Sequence, residues 1–336
     1  MKTKSILLFL PVLLFISCKP KVADKLVKFD GLAQGTYYAV TYYSVDGTNY
    51  QPQIDSILKD FDKVASLWVP ESEISRINRH DSTLELSDRF IDLFNKSKEV
   101  SEKTDGVFDF TIGQLVNAWG FGFTNRTKLD PQKVDSLRKY VDYKSVSIEG
   151  KKVIEKIPEI RFDFNAIAQG YSVDMLAEFL HSKGIENYLI DVGGEVLAQG
   201  KKPDGSLWVV GIEKPSKDAN EERVVQFKVQ TENKALATSG SYRKFYEENG
   251  IRYSHTIDPR TGYPVTHTLL SVSVMADKCW EADAYATAFM VMGLDKAKEY
   301  LEKNKQLEAH FIYSLGGDSL ASFTTPGLKQ KLEEVK

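Results

Sequence analysis

The chain reads as an α+β fold, mixed sheets with packed helices, on three observations. Stretches with strand alternation and stretches with helical spacing follow one another without the strict rhythm of a doubly wound parallel sheet. Hydrophobic residues make up 42% and charged residues 27% of the 336, an ordinary globular balance with enough chain for a large buried core. No repeat, low-complexity block or break in composition divides the sequence, so residues 31–336 read as one domain. The formal charge of −3 lacks the basic excess of a nucleic-acid binder, and no such partner is expected. The 16 Tyr and 18 Phe suit strands and, more weakly, a site for a flat ligand.

The first residues belong to targeting. Lys2 and Lys4 precede an apolar run, Ile6–Ile16, interrupted only by Pro11 and too short to span a bilayer. The following Phe15-Ile16-Ser17-Cys18 resembles a bacterial lipoprotein cleavage box, with Phe15 where Leu is usual. The expectation is a signal peptide over 1–17, a lipid on Cys18 and a polar, Lys-rich tether over 18–30; a plain signal peptide with an incidental Cys is the alternative. With Cys18 lipidated, Cys279 has no partner and no disulfide is expected. Cys279 itself reads as a small buried hydrophobe.

Thr36–Tyr43 alternates as a strand does. Gln51–Ser66 places Ile54, Leu58, Phe61 and Ala65 at helical spacing, and Pro70–Glu73 opens a turn or short helix. Ser87 suits the N-cap of a helix carrying Phe90, Leu93, Phe94, Ser97 and Val100 on one face, closed before Gly106. Asp130-Pro131 caps and opens a helix over Pro131–Tyr140. Strands are predicted at Lys144–Ile148 and Ile160–Phe164, then a helix over Gly170–Lys183 stopped by Gly184. Tyr188–Asp191, Val196–Ala198, Leu207–Ile212, Val224–Val229, Arg252–Ile257 and Leu270–Met275 read as strands, and Glu281–Met292 as a helix.

Chemistry-bearing residues gather in three segments. In Ala237–Phe245 the small residues to Ser241 suit a loop whose amides cradle a phosphate, with Arg243 and Lys244 as countercharge. His255 follows, at the end of a predicted strand and just before a turn built by Asp258-Pro259 and Thr261-Gly262. Asp283 and Thr287 are four apart, so on a helix their oxygens leave one face and suit Mg2+. An N-terminal Asp that favours the helix dipole, with Thr packed below, is the reading that spacing alone favours for that pair. Asp163–Asp174 joins a strand end to a helix start through small residues, a natural ligand edge, without the Gly-x-Gly-x-x-Gly of a dinucleotide fingerprint. Asp191-Val192-Gly193-Gly194-Glu195 reads as a hairpin turn. The five His (His80, His181, His255, His267, His310) show no zinc-ligand spacing, and no nucleophile elbow or Walker loop occurs.

Taken in order, these segments resemble the FAD:protein FMN transferases, the ApbE-like flavin transferases. The resemblance rests on Ser239-Gly240-x-Tyr242, on His255-x-Ile257-Asp258-Pro259-x-Thr261-Gly262-x-Pro264 and on Ala282-Asp283-x-x-x-Thr287. Upstream it takes in Gly35-Thr36-Tyr37, the Trp68–Asn78 segment, Gly106–Asp109 and Leu115–Gly122, so that it runs from about residue 30 to nearly the end. It implies an ApbE-like, T-fold-related α+β fold and Mg2+-dependent transfer of the FMN half of FAD to a protein Thr or Ser hydroxyl, with AMP released. It further implies metal ligands Asp283, Thr287 and the Ala166 carbonyl. FAD contacts would come from Gln34, Trp68, Val107, Phe108, Asp109, Asp163, Gln169 and Ile257, with His255 as base. Gln34 stands where the family usually has Met, Gln169 where Lys or Glu is common, and Glu195 where Asp is common. The implied partners are flavoprotein subunits of membrane redox complexes, bearing a Ser/Asp-Gly-Ala-Thr-like motif. The implied place is the periplasmic side of a bacterial membrane, the inner one expected, held by the N-terminal lipid. An FAD pyrophosphatase and a non-catalytic flavin-binding lipoprotein stay open as alternatives.

Overall fold

The computed structural model describes residues 24–122, 129–215, 224–241, 245–248, 251–317 and 319–335. Cys18 and the signal stretch lie outside them, as do Tyr242, Arg243 and Lys244. In chain order the elements are β1 (Lys25–Ala33), β2 (Thr36–Ser44), α1 (Gln51–Ala65), α2 (Glu73–Asn78), α3 (Asp88–Lys103), α4 (Gly113–Ala118), α5 (Pro131–Arg138), β3 (Val146–Glu149), β4 (Lys152–Glu155), α6 (Ala168–Ser182), β5 (Asn187–Val192) and β6 (Glu195–Gln199). There follow β7 (Trp208–Glu213), β8 (Val225–Thr231), β9 (Lys234–Gly240), β10 (Phe245–Glu248), β11 (Ile251–Ser254), β12 (Leu269–Ala276), α7 (Cys279–Met292), α8 (Leu294–Lys303), β13 (Glu308–Gly316), β14 (Ser319–Thr324), α9 (Pro326–Lys329) and β15 (Leu332–Glu334). The α+β class read from the sequence is what the chain adopts.

Eight strands form one antiparallel sheet in the order β1-β2-β5-β6-β9-β12-β13-β14. The main core sits between this sheet and α1, α3, α6 and α7, where Tyr38, Ile54, Leu58, Phe90, Phe94, Leu176 and Phe289 are buried. A second core joins the other face, through Val196, Leu236 and Met275, to a small sheet ordered β15-β8-β7. Each buried aliphatic or aromatic side chain contributes about 1.5–3 kcal/mol. The two layers together hold the loops of the site.

The N-caps read from sequence form as expected. Ser87 Oγ accepts from Phe90 N at 3.1 Å and Asp130 Oδ1 from Lys133 N at 2.7 Å. The buried stripe of α3 is the expected Phe90, Leu93, Phe94, Ser97 and Val100.

Four expectations need correction. Lys25–Asp30 belongs to β1, not to a tether, because Val27 and Phe29 face the core while Lys25, Lys28 and Asp30 face water. Ile160–Phe164 is not a strand. Phe162 and Phe164 are buried in stacked rings with Phe110, but the Phe162 backbone is held by the Asn78 side chain, at 2.7 and 2.9 Å, in place of a ladder. The segment predicted at Lys144–Ile148 begins as a 3₁₀ turn capped by Asp142, and β3 starts only at Val146. Finally, Ala237–Gly240 is strand β9 rather than a loop. Its small side chains admit α7 onto the sheet.

His310 on β13 shows the second core's polarity. Its Nδ1 lies 2.8 Å from Thr324 Oγ1, its ring packs edge-on against Phe227 at 4.5 Å, and Nε2 has no hydrogen-bond partner among the described residues. Burial lowers its pKa to about 4. The unfolded chain therefore binds the extra proton as pH falls from the ordinary histidine range towards 4, and this group's contribution to stability is lost over that window. An NMR titration should find the His310 ring neutral down to about pH 4; a midpoint near the ordinary value of about 6.5 would contradict that.

Candidate functional site

A cleft of about 1060 Å³ opens beside the edge of the main core. Every residue singled out for metal, flavin or base lines it: Gln34, Trp68, Val107, Phe108, Asp109, Asp163, Ala166, Gln169, His255, Ile257, Asp283 and Thr287. They come from segments spread over most of the chain, and the fold brings them to one place. Asp191, Gly193, Gly194, Glu195 and Thr238–Gly240 complete the same wall.

Gln34 and Gly35 form the two-residue turn of the β1–β2 hairpin, at φ 53° and 74°, the mirror-image geometry that matches strand twist. The turn lifts the Gln34 side chain to within 3.3 Å of Ser172 Oγ on α6. At the opposite wall, Asp109 spends its carboxylate on its own loop, accepting from Thr111 N (2.8 Å), Thr111 Oγ1 (2.7 Å) and Tyr143 N (3.1 Å). Burial pushes it up to about 6. Asp163 accepts from Asn165 N at 2.8 Å while its own N donates to Phe110 O. That Asx turn carries the chain to Ala166 and the start of α6. Burial raises Asp163 as well.

The turn after His255 forms as read and is locked from outside. Gly262 N donates to Asp258 O at 2.8 Å, and Trp119 Nε1 donates to Gly262 O at 2.8 Å. Gly262 takes φ +80°, where side chains are strained. The Phe121 ring stands edge-on to the His255 ring at 6.3 Å. The predicted strand there ends at Ser254, and Ile257 makes one lone bridge with Pro264.

Asp283 and Thr287 lie one turn apart on α7, as their spacing implied. Gly170 N, in the first turn of α6, donates to Asp283 Oδ2 at 2.9 Å, and Thr287 Oγ1 lies 3.1 Å from Ser239 Oγ. β9 outruns β6: past Leu236 it is paired by β12 alone. Asp283 and Glu195 are both buried. Burial raises both carboxyls, and the charge of Asp283 raises Glu195 further. Glu195 Oε2 is buried without a hydrogen-bond partner, and neither acid has a salt bridge among the described residues. Two crowded carboxyls without countercharge suit a cation. No group of three or more His, Cys, Asp or Glu with metal-holding geometry occurs among the described residues. One carboxylate, one hydroxyl and one carbonyl is nonetheless a donor set that Mg2+ accepts, since it keeps several waters.

Gly170 is what lets α6 and α7 meet here. A Cβ would collide with the Cys279 carbonyl oxygen and stand 2.7 Å from Asp283 Cβ. Gly170→Ala should cost about 1–3 kcal/mol, measured as the midpoint of denaturant unfolding; a wild-type midpoint would contradict the packing. Cys279, next to that contact, is buried, as expected of it.

Sequence reading missed Asp62, half-buried on α1 and raised by burial, and the β7 residues that also line the cleft. Asp62 directly follows Phe61 of the apolar stripe, and nothing in its spacing marks it. β7 was read as a strand, but its nearness to the cleft is a matter of topology alone.

The comparisons agree with this geometry. The model of the ApbE family matches residues 34–311. The protein named FAD:protein FMN transferase of Vibrio cholerae serotype O1 is 36% identical over 302 residues, 88% of this chain and 89% of its own. The protein of that name from Escherichia coli K12 is 31% identical over 341 residues, 96% of each. Among solved structures, the flavin transferase ApbE from Vibrio cholerae superposes with a TM-score of 0.80 at 32% identity, covering 92% of this chain and 99% of that one. The apo form of the Pseudomonas stutzeri flavinyl transferase ApbE gives 0.81 at 31%, covering 92% and 97%. By family match, sequence relatives and fold alike, the chain belongs to the ApbE family.

Proposed function

We propose that the cleft transfers the FMN half of FAD to a Thr or Ser hydroxyl of another protein, in a Mg2+-dependent step that releases AMP. The observation that carries this reading is convergence: twelve dispersed residues line one cleft, whose buried Asp283 and its neighbour Glu195 have no salt bridge among the described residues. Asp283, Thr287 and the Ala166 carbonyl would hold Mg2+, which when bound supplies countercharge to a pyrophosphate. Gln34, Trp68, Val107–Asp109, Asp163, Gln169 and Ile257 position the dinucleotide. His255 takes the proton of the acceptor hydroxyl. That oxygen bonds to the FMN-side phosphorus as the bond to the AMP phosphate breaks.

The N-terminal stretch supports an exported chain held by lipid on Cys18, on the periplasmic side of a membrane whose redox flavoprotein subunits are the acceptors. No helix among the described residues is long and apolar enough to cross a membrane. The test is incubation of the protein with FAD, Mg2+ and candidate acceptor subunits, followed by mass spectrometry. Covalent FMN on the acceptor with one AMP released per adduct is the expected result. Free FMN without an adduct would replace the reading by an FAD pyrophosphatase, and no turnover by a flavin binder.

A further inference from the structure

Glu195 takes no part in the proposed metal, flavin or base roles, yet it lines the cleft with Asp283 and Thr287. It opens β6 directly after the Gly193-Gly194 turn, which Gly194 N fixes by donating to Asp191 Oδ1 at 2.9 Å. The side chain is 7% exposed, and its Oε2 has no hydrogen-bond partner among the described residues. The next three residues of β6, Val196, Leu197 and Ala198, are buried and apolar. A carboxyl with an unmet oxygen is costly in such a place, so packing does not explain it.

The way β6 meets α7 sets Glu195 beside the proposed metal ligands. Cys279 Sγ, at the start of α7, lies 3.7 Å from Val196 O and ties the beginning of β6 to the helix. Asp283 stands one turn beyond Cys279, and Glu195 directly precedes Val196. Asp283 is the single carboxylate among the three donors assigned to Mg2+, so one negative charge meets two positive ones. Mg2+ also keeps several waters, and acceptors behind the direct ligands orient a metal's shell. We propose that Glu195 is a positioning residue for the cation: its carboxylate accepts from a Mg2+-bound water and supplies the second negative charge. The protein then holds the ion before FAD enters. The inference rests on the assignment of Mg2+ to Asp283, Thr287 and the Ala166 carbonyl.

The test is Mn2+ binding by the full chain without FAD, with free Mn2+ read by electron paramagnetic resonance. Glu195→Gln should weaken binding about 10- to 100-fold, the usual effect of losing such a partner. Glu195→Asp, which keeps the charge, should stay within about threefold of the parent. The number of waters on the bound Mn2+, from proton relaxation, should be the same in Glu195→Gln as in the parent, because no direct ligand is lost. Thermal unfolding without metal should find Glu195→Gln at least as stable as the parent, since a buried carboxyl without countercharge is gone. Parental affinity in Glu195→Gln would overturn the proposal, as would equal losses in the Gln and Asp variants. An extra water on the Mn2+ of Glu195→Gln would make Glu195 a direct ligand, and a lower unfolding midpoint would make it a structural residue; either overturns the water-mediated role. Asp283→Asn separates this inference from the one beneath it. If that variant loses Mn2+ while Glu195→Gln does not, the metal assignment stands and the role of Glu195 falls. If neither loses it, or the parent binds none, both fall.

Discussion

Replacing Asp283 by Asn is expected to cut FMN transfer by about 10³-fold, the effect of losing several kcal/mol of metal-borne charge stabilisation. The exchange is nearly isosteric, and the amide oxygen can still accept from Gly170 N, which now bonds Asp283 Oδ2 at 2.9 Å. It also removes one of two crowded buried carboxyls, relieving the charge that raises Glu195. The fold should therefore be as stable as the parent or more so, a separation of activity from stability characteristic of active-site groups. Thermal unfolding with and without Mg2+ tests both halves. The parent should be stabilised by the cation through mass action, and the variant should not. A variant that keeps transfer within about tenfold, or keeps the Mg2+-dependent shift, would remove Asp283 from the metal site.

His255→Ala should lower transfer by about 10²- to 10⁴-fold, the range of general base catalysis, while FAD binding stays close to that of the parent. The reason lies in how its segment is held. The turn after His255 is fixed by Asp258, Gly262 and the Trp119 indole, none of which depends on the imidazole. Loss of the ring should therefore leave the cleft's shape intact. Flavin fluorescence quenching gives the affinity and acceptor mass the transfer; flavinylation at the parental rate would refute the base assignment.

The helices with one buried face were legible because period and caps agree. α3 shows Ser87 as cap and a single apolar stripe. α7 is different. Residues from Ala282 to Val291 are buried on nearly all sides, so periodicity cannot orient it. Ala237–Gly240 is ambiguous in sequence because small residues suit both a phosphate cradle and a strand under a close-packed helix. Only the position of α7 decides between them. The lysines of Lys25–Asp30 give it the look of a tether, although Val27 and Phe29 alternate inward. In the site, the Asp283–Thr287 spacing and the His255 turn are visible as local patterns, but spacing alone favours a structural role for the pair, and the family resemblance is what assigns both to chemistry. Their neighbour Ala166 would act through a carbonyl that every residue has, so no side-chain signal marks it. Family resemblance supplied it.

A crystal of the protein with FAD and Mn2+ in place of Mg2+ puts the site to its most direct test. The anomalous peak should lie at about 2.1 Å from Asp283, Thr287 Oγ1 and the Ala166 carbonyl. The pyrophosphate should lie beside it, with the flavin and adenine along the walls formed by Gln34, Trp68, Val107–Asp109 and Ile257. A metal bound elsewhere, or FAD outside this cleft, would contradict the proposed function.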